Sequence, residues 1–398
     1  MKSKSPNLNY AWAELMIREL GRLGVDHVFV SPGSRSSPLA LAAADYAANT
    51  TVHFDERGTA FAALGCARAT GRPAAVITTS GSAVANLWPA VSEASVDEVP
   101  LILITADRPP ELRDTAANQT MDQTKLFGEF VRYQVDLPCP DARIAPGFLL
   151  AAIDQAVHRA TSGQPGPVHL NQMFREPLAP VKADDGTAGW LKRARGWWTS
   201  ERPMTTYAAP DHAVPFGPLL EAADLLASAR RGVIVAGALP DAAASNAVLS
   251  IAHKLGWPVL PDIRSGLRIG RAGPNVVRFA DLVLLSPAMA EKQLPDVVLH
   301  VGGRLTSKRL MQFIGRSGAR VVMVHPSPAR TEQGGVPSLR LPVRAETFAA
   351  QLPDFKSATP AAWLKRWQLA DKAAEKSWRS IADREATLTE PMIAQVVS

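Results

Sequence analysis

Four strand-then-helix units open this chain, and they constrain its fold more than any other feature. Short apolar runs at 25–30, 51–54, 74–78 and 100–105 each lead straight into a polar turn. Those turns are Ser31-Pro32-Gly33-Ser34-Arg35-Ser36, Asp55-Glu56-Arg57-Gly58, Thr79-Ser80-Gly81-Ser82 and Ala106-Asp107-Arg108-Pro109-Pro110-Glu111. Units of this length imply parallel strands joined by right-handed crossovers, so all four turns should lie along one rim of one sheet. In open α/β sheets that rim, at the carboxyl ends of the strands, carries the chemistry.

The rest of the chain extends the same plan. Before the first strand, Trp12, Leu15, Met16, Leu20 and Leu23 recur at helical spacing over 10–23, with Asn9 placed to cap the helix and Gly24 to end it. A polar stretch, Asn118-Gln119-Thr120-Met121-Asp122-Gln123, a helix at 148–161 and a strand at 168–171 complete a first domain, 1–180. Residues 181–212 lack sustained periodicity and are expected to run as a linker over the surface, with Trp197-Trp198 docked on a domain. A second α/β pattern fills 213–355: helices at 219–228 and 242–255, strands at 232–236, 258–260, 282–285, 297–301 and 320–325. The expected fold class is therefore α/β, with two doubly wound, mainly parallel sheet domains. A tail, 356–398, places Trp363, Trp367, Ala370, Ala374, Trp378 and Ile381 on one helical stripe that should pack on something. At 388–391 a new capped helix begins, which suggests a third domain.

Composition removes several classes of function. The 398 residues carry 43 Lys+Arg against 37 Asp+Glu, a net charge of +6, with no block of like charges that would make a nucleic-acid arm. Cys66 and Cys139 stand in neither a Cys-x-x-Cys nor a zinc-ligand spacing and read as buried small hydrophobes. No apolar run is long enough for a membrane span and no signal-peptide pattern opens the chain, so the cytoplasm is the default. The first domain has neither Gly-x-Gly-x-x-Gly after a strand nor a P-loop, which argues against a dinucleotide or nucleotide fingerprint. No aspartate cluster resembles a magnesium site. His27, His53 and His158 lie in or beside core elements and read as structural.

Candidate site residues follow from the rim. Taken alone, Glu56 is an ordinary carboxylate in a helix's first turn, and Ser34, Arg35 and Arg108 are ordinary solvated side chains. Their joint position, with Gln119 close downstream, favours a site instead. In the second domain, Gly302-Gly303-Arg304-Leu305-Thr306-Ser307-Lys308-Arg309 forms another polar turn at a strand end, bringing Lys308 and Arg309 to a second rim. Several guanidiniums with Ser and Gln neighbours suit carboxylates, because the planar fork supplies two parallel donors. The substrate should be polyanionic.

These turns, extended through Ser37-Pro38-Leu39, Ala83-Val84-Ala85-Asn86-Leu87 and Leu112, and joined by Asn118-Gln119, Gly166-Pro167-Val168-His169-Leu170-Asn171 and Thr306-Ser307-Lys308-Arg309, carry a resemblance. The chain resembles, over essentially its whole length, the 2-succinyl-5-enolpyruvyl-6-hydroxy-3-cyclohexene-1-carboxylate synthase family of thiamine-diphosphate enzymes, of menaquinone and phylloquinone biosynthesis. The resemblance implies a pyrimidine-binding domain followed by a central Rossmann-like domain. It also implies a diphosphate-binding domain outside this chain, holding Mg2+ and the cofactor's diphosphate, so the chain by itself is expected to be an incomplete enzyme. Glu56 would pair with the aminopyrimidine ring of thiamine diphosphate, in a largely water-free setting, and Pro32 and Ser82 would lie near that ring. Ser82 stands where Thr is commoner. Ser34, Arg35, Arg108, Gln119, Lys308 and Arg309 would bind the carboxylates of 2-oxoglutarate and isochorismate. 2-Oxoglutarate would be decarboxylated and its succinyl unit added to isochorismate. Active sites in this family are shared between subunits, which implies a homodimer or homotetramer. Two other readings remain: a different thiamine-diphosphate carboligase or decarboxylase, and a non-catalytic binding subunit.

Overall fold

The computed structural model of the chain describes residues 5–208, 213–269, 273–331, 336–384, 387, 389, 390, 392 and 393. They form two compact units, Met1–Ala209 and Pro210–Ser398.

The first unit is built on a six-stranded sheet. Its strands are β1 (His27–Val30), β2 (Asn49–Val52), β3 (Ala74–Thr78), β4 (Leu101–Asp107), β5 (Tyr133–Leu137) and β6 (Pro167–Met173), in the order β2-β1-β3-β4-β6-β5. Every pairing is parallel, as the strand-then-helix rhythm requires. Helices cover both faces, and the strand side chains divide between them with period two. Ala75, Ile77, Ile102 and Ile104 join the core under helices Leu8–Arg22, Ser37–Tyr46 and Pro146–Thr161. Ala74, Val76, Leu101 and Leu103 join the opposite core, under Glu56–Thr70 and Trp88–Val96. A strand buried on both faces reads as a continuous apolar run, which is why β3 and β4 were evident in the sequence. Each such Val, Leu or Ile contributes roughly 1.5–3 kcal/mol by leaving water.

Several details depart from expectation. Asn7, not Asn9, caps the first helix, its side chain accepting from the Tyr10 amide at 3.3 Å. Asn9 instead donates to the carbonyls of Arg175 and Pro177, pinning the far end of the unit. The strand expected at 51–54 lies two residues earlier, because Phe54 faces water, 90% exposed, and the His53 ring closes the turn. Strand β5 escaped notice because Tyr133, Gln134 and Asp136 interrupt its apolar pattern. That composition suits a sheet edge, which is where β5 lies.

The stretch expected to be a linker contains two short helices, Thr187–Arg193 and Arg195–Trp198. Trp190 stacks on Trp12 with ring centroids 5.5 Å apart, and both it and Trp197 are buried in the first unit's core. Trp197 donates its indole N–H to Glu19 at 2.6 Å, and the Met204 amide donates to the same carboxylate. Beside it, Asp154 accepts from the Thr205 amide at 2.6 Å. Burial, then a hydrogen bond and the negative charge from Glu19, raise the Asp154 carboxyl to about 7.

The second unit repeats the architecture with five parallel strands: β7 (Gly232–Ala236), β8 (Val259–Pro261), β9 (Val297–Val301), β10 (Arg320–Val324) and β11 (Leu339–Leu341), in the order β11-β10-β9-β7-β8. The strand expected at 282–285 is instead helical, Ala280–Val283. Ala280, Val283 and Leu284 are the buried positions while Leu282 and Leu285 are exposed, a spacing of three and four that only a helix satisfies. Strand β11, not expected from the sequence, has only three residues, too few to set up a period. In the tail helix, Ala361–Ala382, Trp363 and Trp367 are buried against this unit, whereas Ile381 is exposed. The capped turn expected at 388–391 falls partly outside the described residues, since 388 and 391 are not among them; the Ile393 amide donates to the Thr389 carbonyl. Among the described residues, no helix is long and apolar enough to cross a membrane.

Candidate active site

The parallel order brings the four polar turns of the first unit to one rim, and each is held by a different local device. After β2, the Asp55 carboxylate caps helix Glu56–Thr70 by accepting from the Gly58 amide at 2.6 Å. The His53 Nδ1 accepts from the Asp55 amide at 3.1 Å. Any side chain at position 58 would press its Cβ to 2.7 Å from the His53 ring, so His53, Asp55 and Gly58 act together to present Glu56 as the first helical residue. Glu56 is half-buried, not withdrawn from water within this chain. One of its oxygens, Oε2, accepts from Asn86 Nδ2 at 3.1 Å.

Three further turns converge beside it. A Cβ on Gly33 would meet the Thr79 side chain at 2.5 Å, so the turns after β1 and β3 approach as closely as a glycine allows. Gly81, at φ +78°, lies against the Gln119 backbone, where a Cβ would stand 3.0 Å from the Gln119 carbonyl oxygen. Gln119 itself adopts φ +53°, a left-handed conformation uncommon outside glycine. Pro32, Ser34, Ser82 and Gln119 are all exposed on this rim.

The two arginines are different. Arg35 and Arg108 are 7% and 8% exposed, which is rare for guanidiniums. Arg35 donates to the Phe174 carbonyl at 2.8 Å and lies 3.7 Å from the Glu176 carboxylate, while its Nε has no partner. Arg108 donates to the Ser80 hydroxyl. Burial, and then the positive charge of Arg35, lower the Arg108 guanidinium from its ordinary value. Two buried, mutually repelling cations with an unpartnered N–H make a locus that an anion would relieve. The buried hydroxyls of Thr78 and Thr79 also lack partners.

Behind Arg108 lies a polar network that the sequence did not reveal. Asn171, inside β6, donates to Asp107 at 2.9 Å and to Asp136 at 2.8 Å, and accepts from Thr105 and Gln123. Arg113 bridges the same two carboxylates. Burial pushes the Asp136 carboxyl upward, but the Arg113 and Asn171 hydrogen bonds outweigh it and hold the group below its usual range. Gln123 uses its whole amide, accepting from the Gly81 amide and donating to the Ala106 carbonyl and Asn171. The available signal was Asn171-Gln172 interrupting an apolar strand. His169 is buried and neutral, lowered to about 4 by desolvation, with Thr105 at 2.7 Å from its Nε2.

In the second unit, Lys308 and Arg309 are exposed at the start of helix Lys308–Ser317, capped by Ser307. Cations are disfavoured at the positive end of a helix dipole. Here Asp262 compensates by accepting from the Thr306 and Ser307 amides at 2.7 and 2.9 Å.

The first rim suits the ring end of a thiamine cofactor: a carboxylate with an oxygen to spare, beside unpartnered buried hydroxyls. Among the described residues, no group of three or more His, Cys, Asp or Glu could hold a metal ion.

Comparison with known proteins finds two thiamine pyrophosphate family matches along the chain. Residues 11–126 match the thiamine pyrophosphate enzyme N-terminal TPP binding domain, and residues 188–398 match the middle domain of thiamine pyrophosphate enzymes. The chain is 42% identical to a 2-succinyl-5-enolpyruvyl-6-hydroxy-3-cyclohexene-1-carboxylate synthase of Salinibacter ruber, over 99% of this chain and 67% of the relative. Relatives of the same name from Rubrobacter xylanophilus (42% identity, 100% of this chain, 69% of the relative) and Aeromonas salmonicida (40%, 97% and 66%) are similar. The chain thus spans about two thirds of the length of these relatives.

Proposed function

This chain belongs to the 2-succinyl-5-enolpyruvyl-6-hydroxy-3-cyclohexene-1-carboxylate synthase family of thiamine pyrophosphate enzymes, and on that premise we propose that its first unit supplies the proton-handling and anion-binding half of a thiamine-diphosphate carboligase. The reaction is decarboxylation of 2-oxoglutarate and transfer of the succinyl unit to isochorismate, on the way to menaquinone. One observation carries the reading: a buried pair of charge-coupled guanidiniums, Arg35 and Arg108, stands on the same sheet rim as a half-buried carboxylate, Glu56.

With the cofactor bound, Glu56 would pair with the aminopyrimidine ring and share a proton with its nitrogen, donating the hydrogen bond as the acid and accepting it as the carboxylate. When bound, thiamine diphosphate supplies the electron sink for cleavage and formation of the bond beside the keto carbon. Arg35 and Arg108 bind substrate carboxylates, with Ser34 and Gln119 adding neutral donors at the exposed edge. Pro32 and Ser82 border the ring. Lys308 and Arg309 of the second unit bind a further carboxylate. Mg2+ accompanies the diphosphate, with ligands outside the described residues of this chain. The assembly is a cytoplasmic homodimer or homotetramer.

The test is Glu56→Gln in the complete enzyme. Removing a general acid–base group should slow 2-oxoglutarate decarboxylation by roughly a hundredfold to ten-thousandfold with the fold intact. Turnover at the unsubstituted rate in that variant would refute the role of Glu56.

A further inference from the structure

The contact between Glu56 and Asn86 joins two turns that are otherwise separately built. Asn86 closes the short helix Ser82–Ala85 that follows the Gly81 turn, and its backbone amide donates to the Ser82 carbonyl at 3.1 Å. Its position is therefore tied to the turn after β3, which Gln123 fixes through the Gly81 amide at 2.8 Å and which Arg108 reaches through Ser80. Across from it, Glu56 is set by the turn after β2, whose Asp55 cap and His53 ring act on backbone atoms and leave the glutamate side chain unrestrained. A glutamate has three rotatable bonds, so a fixed backbone by itself does not place its carboxylate. The Asn86 carboxamide does so, donating from Nδ2 to Oε2 at 3.1 Å.

We propose that Asn86 is a positioning residue for the family reaction: it anchors one carboxylate oxygen of Glu56 to the β3 turn and so aims the other, Oε1, at the cofactor ring. This deepens the function proposed above and rests on that reading of Glu56. The chemistry suits the task. An ionised carboxylate only accepts, and a carboxamide offers a neutral donor that holds it without supplying a competing proton or a counter-charge. A lysine or arginine there would hold Glu56 more strongly but would stabilise the ionised form against taking up a proton. Asn86 is exposed and packs into no core, so its loss should leave folding unchanged.

The proposal is tested by ring recognition. In the complete, magnesium-loaded enzyme, the affinity for thiamine diphosphate is compared with that for an analogue in which the ring nitrogen facing Glu56 is carbon, by quenching of tryptophan fluorescence. The unsubstituted enzyme should discriminate against the analogue, and Glu56→Gln should bring the ratio close to one. Asn86→Ala should reduce the ratio about tenfold, or about 1.4 kcal/mol, with the thermal midpoint unchanged. Asn86→Asp, nearly isosteric, should reduce it further, because an ionised carboxylate has no N–H to donate and repels the Glu56 oxygen that Asn86 anchors. If Asn86 merely shapes the loop, the aspartate variant will lie closer to the unsubstituted enzyme than alanine does, and the proposal is overturned. A ratio that Asn86→Ala leaves intact while Glu56→Gln collapses it overturns the proposal alone. A ratio that survives Glu56→Gln overturns the reading of Glu56 and the role of Asn86 with it.

Discussion

The turn after β2 and the turn after β4 share one rim and are held in opposite ways. At the first, Glu56 depends on a helix cap, one histidine ring and one amide contact, and it remains half open to water. At the second, Arg108 sits on a network, buried at Asp107, Asn171 and Gln123 and open to water at Asp136, in which these residues and Arg113 exchange hydrogen bonds across β4, β5 and β6. The difference teaches how such a rim divides its labour. Buried cations are costly unless their surroundings are fixed in advance, so the arginine end is prebuilt by hydrogen bonds. The Glu56 carboxylate is left accessible and is held by a single side-chain contact.

Cutting the network should produce the largest stability effect. Asn171→Leu leaves Asp107, Thr105 and Gln123 with unmet hydrogen bonds in a buried strand, and about 3–5 kcal/mol of unfolding free energy should be lost in urea titrations. A loss under 1 kcal/mol would show that the network is not rigidly prebuilt.

A second buried polar cluster, away from the rim, offers a control with its own sign. The Asp154 carboxyl is raised from 3.8 to about 7 by burial beside Glu19, with Arg22 as the nearby cation, 3.8 Å from Glu19. The folded state therefore holds a proton that the unfolded chain has released. Stability from this group is complete below about pH 4 and is lost as pH rises through about 7. Asp154→Asn should flatten that stretch of the stability–pH curve. An unchanged slope between pH 5 and 7.5 would assign the dependence to other groups.

The smallest effect is expected at the open end. Asp55→Ala removes a helix cap and should cost about 1 kcal/mol, while activity falls further than stability because Glu56 loses its setting. If chemical denaturation instead finds a loss as large as that of Asn171→Leu, the contrast between the two turns does not hold.

Much of this was legible beforehand because it depends on local pattern. Strands β3 and β4 are buried on both faces and so read as apolar runs, with Thr78, Thr105 and Asp107 only at their carboxyl ends, and the turns between strand and helix carry their own Gly, Ser, Asp and Pro signatures. Edge strands β5 and β11 are not legible in the sequence because an edge strand needs no continuous apolar run. The run Leu282-Val283-Leu284-Leu285 reads as a strand although its start is helical, because four apolar residues in a row satisfy either period until their burial is known. Trp190 and Trp197 illustrate the same limit: nothing in the spacing of 181–212 says that their indoles dock against Trp12 and Glu19.

For the site, the sequence by itself determined which turns share the rim, since parallel crossovers leave no alternative, and which residue types those turns carry. It could not tell a solvated arginine from a buried one, nor show that Asn86 reaches Glu56 or that Asn171 braces Arg108 from behind through Asp107. Those pairs lie 30 and 64 positions apart. Only packing decides them, because burial and hydrogen-bond partnership are properties of where crossovers return in space rather than of any window along the chain.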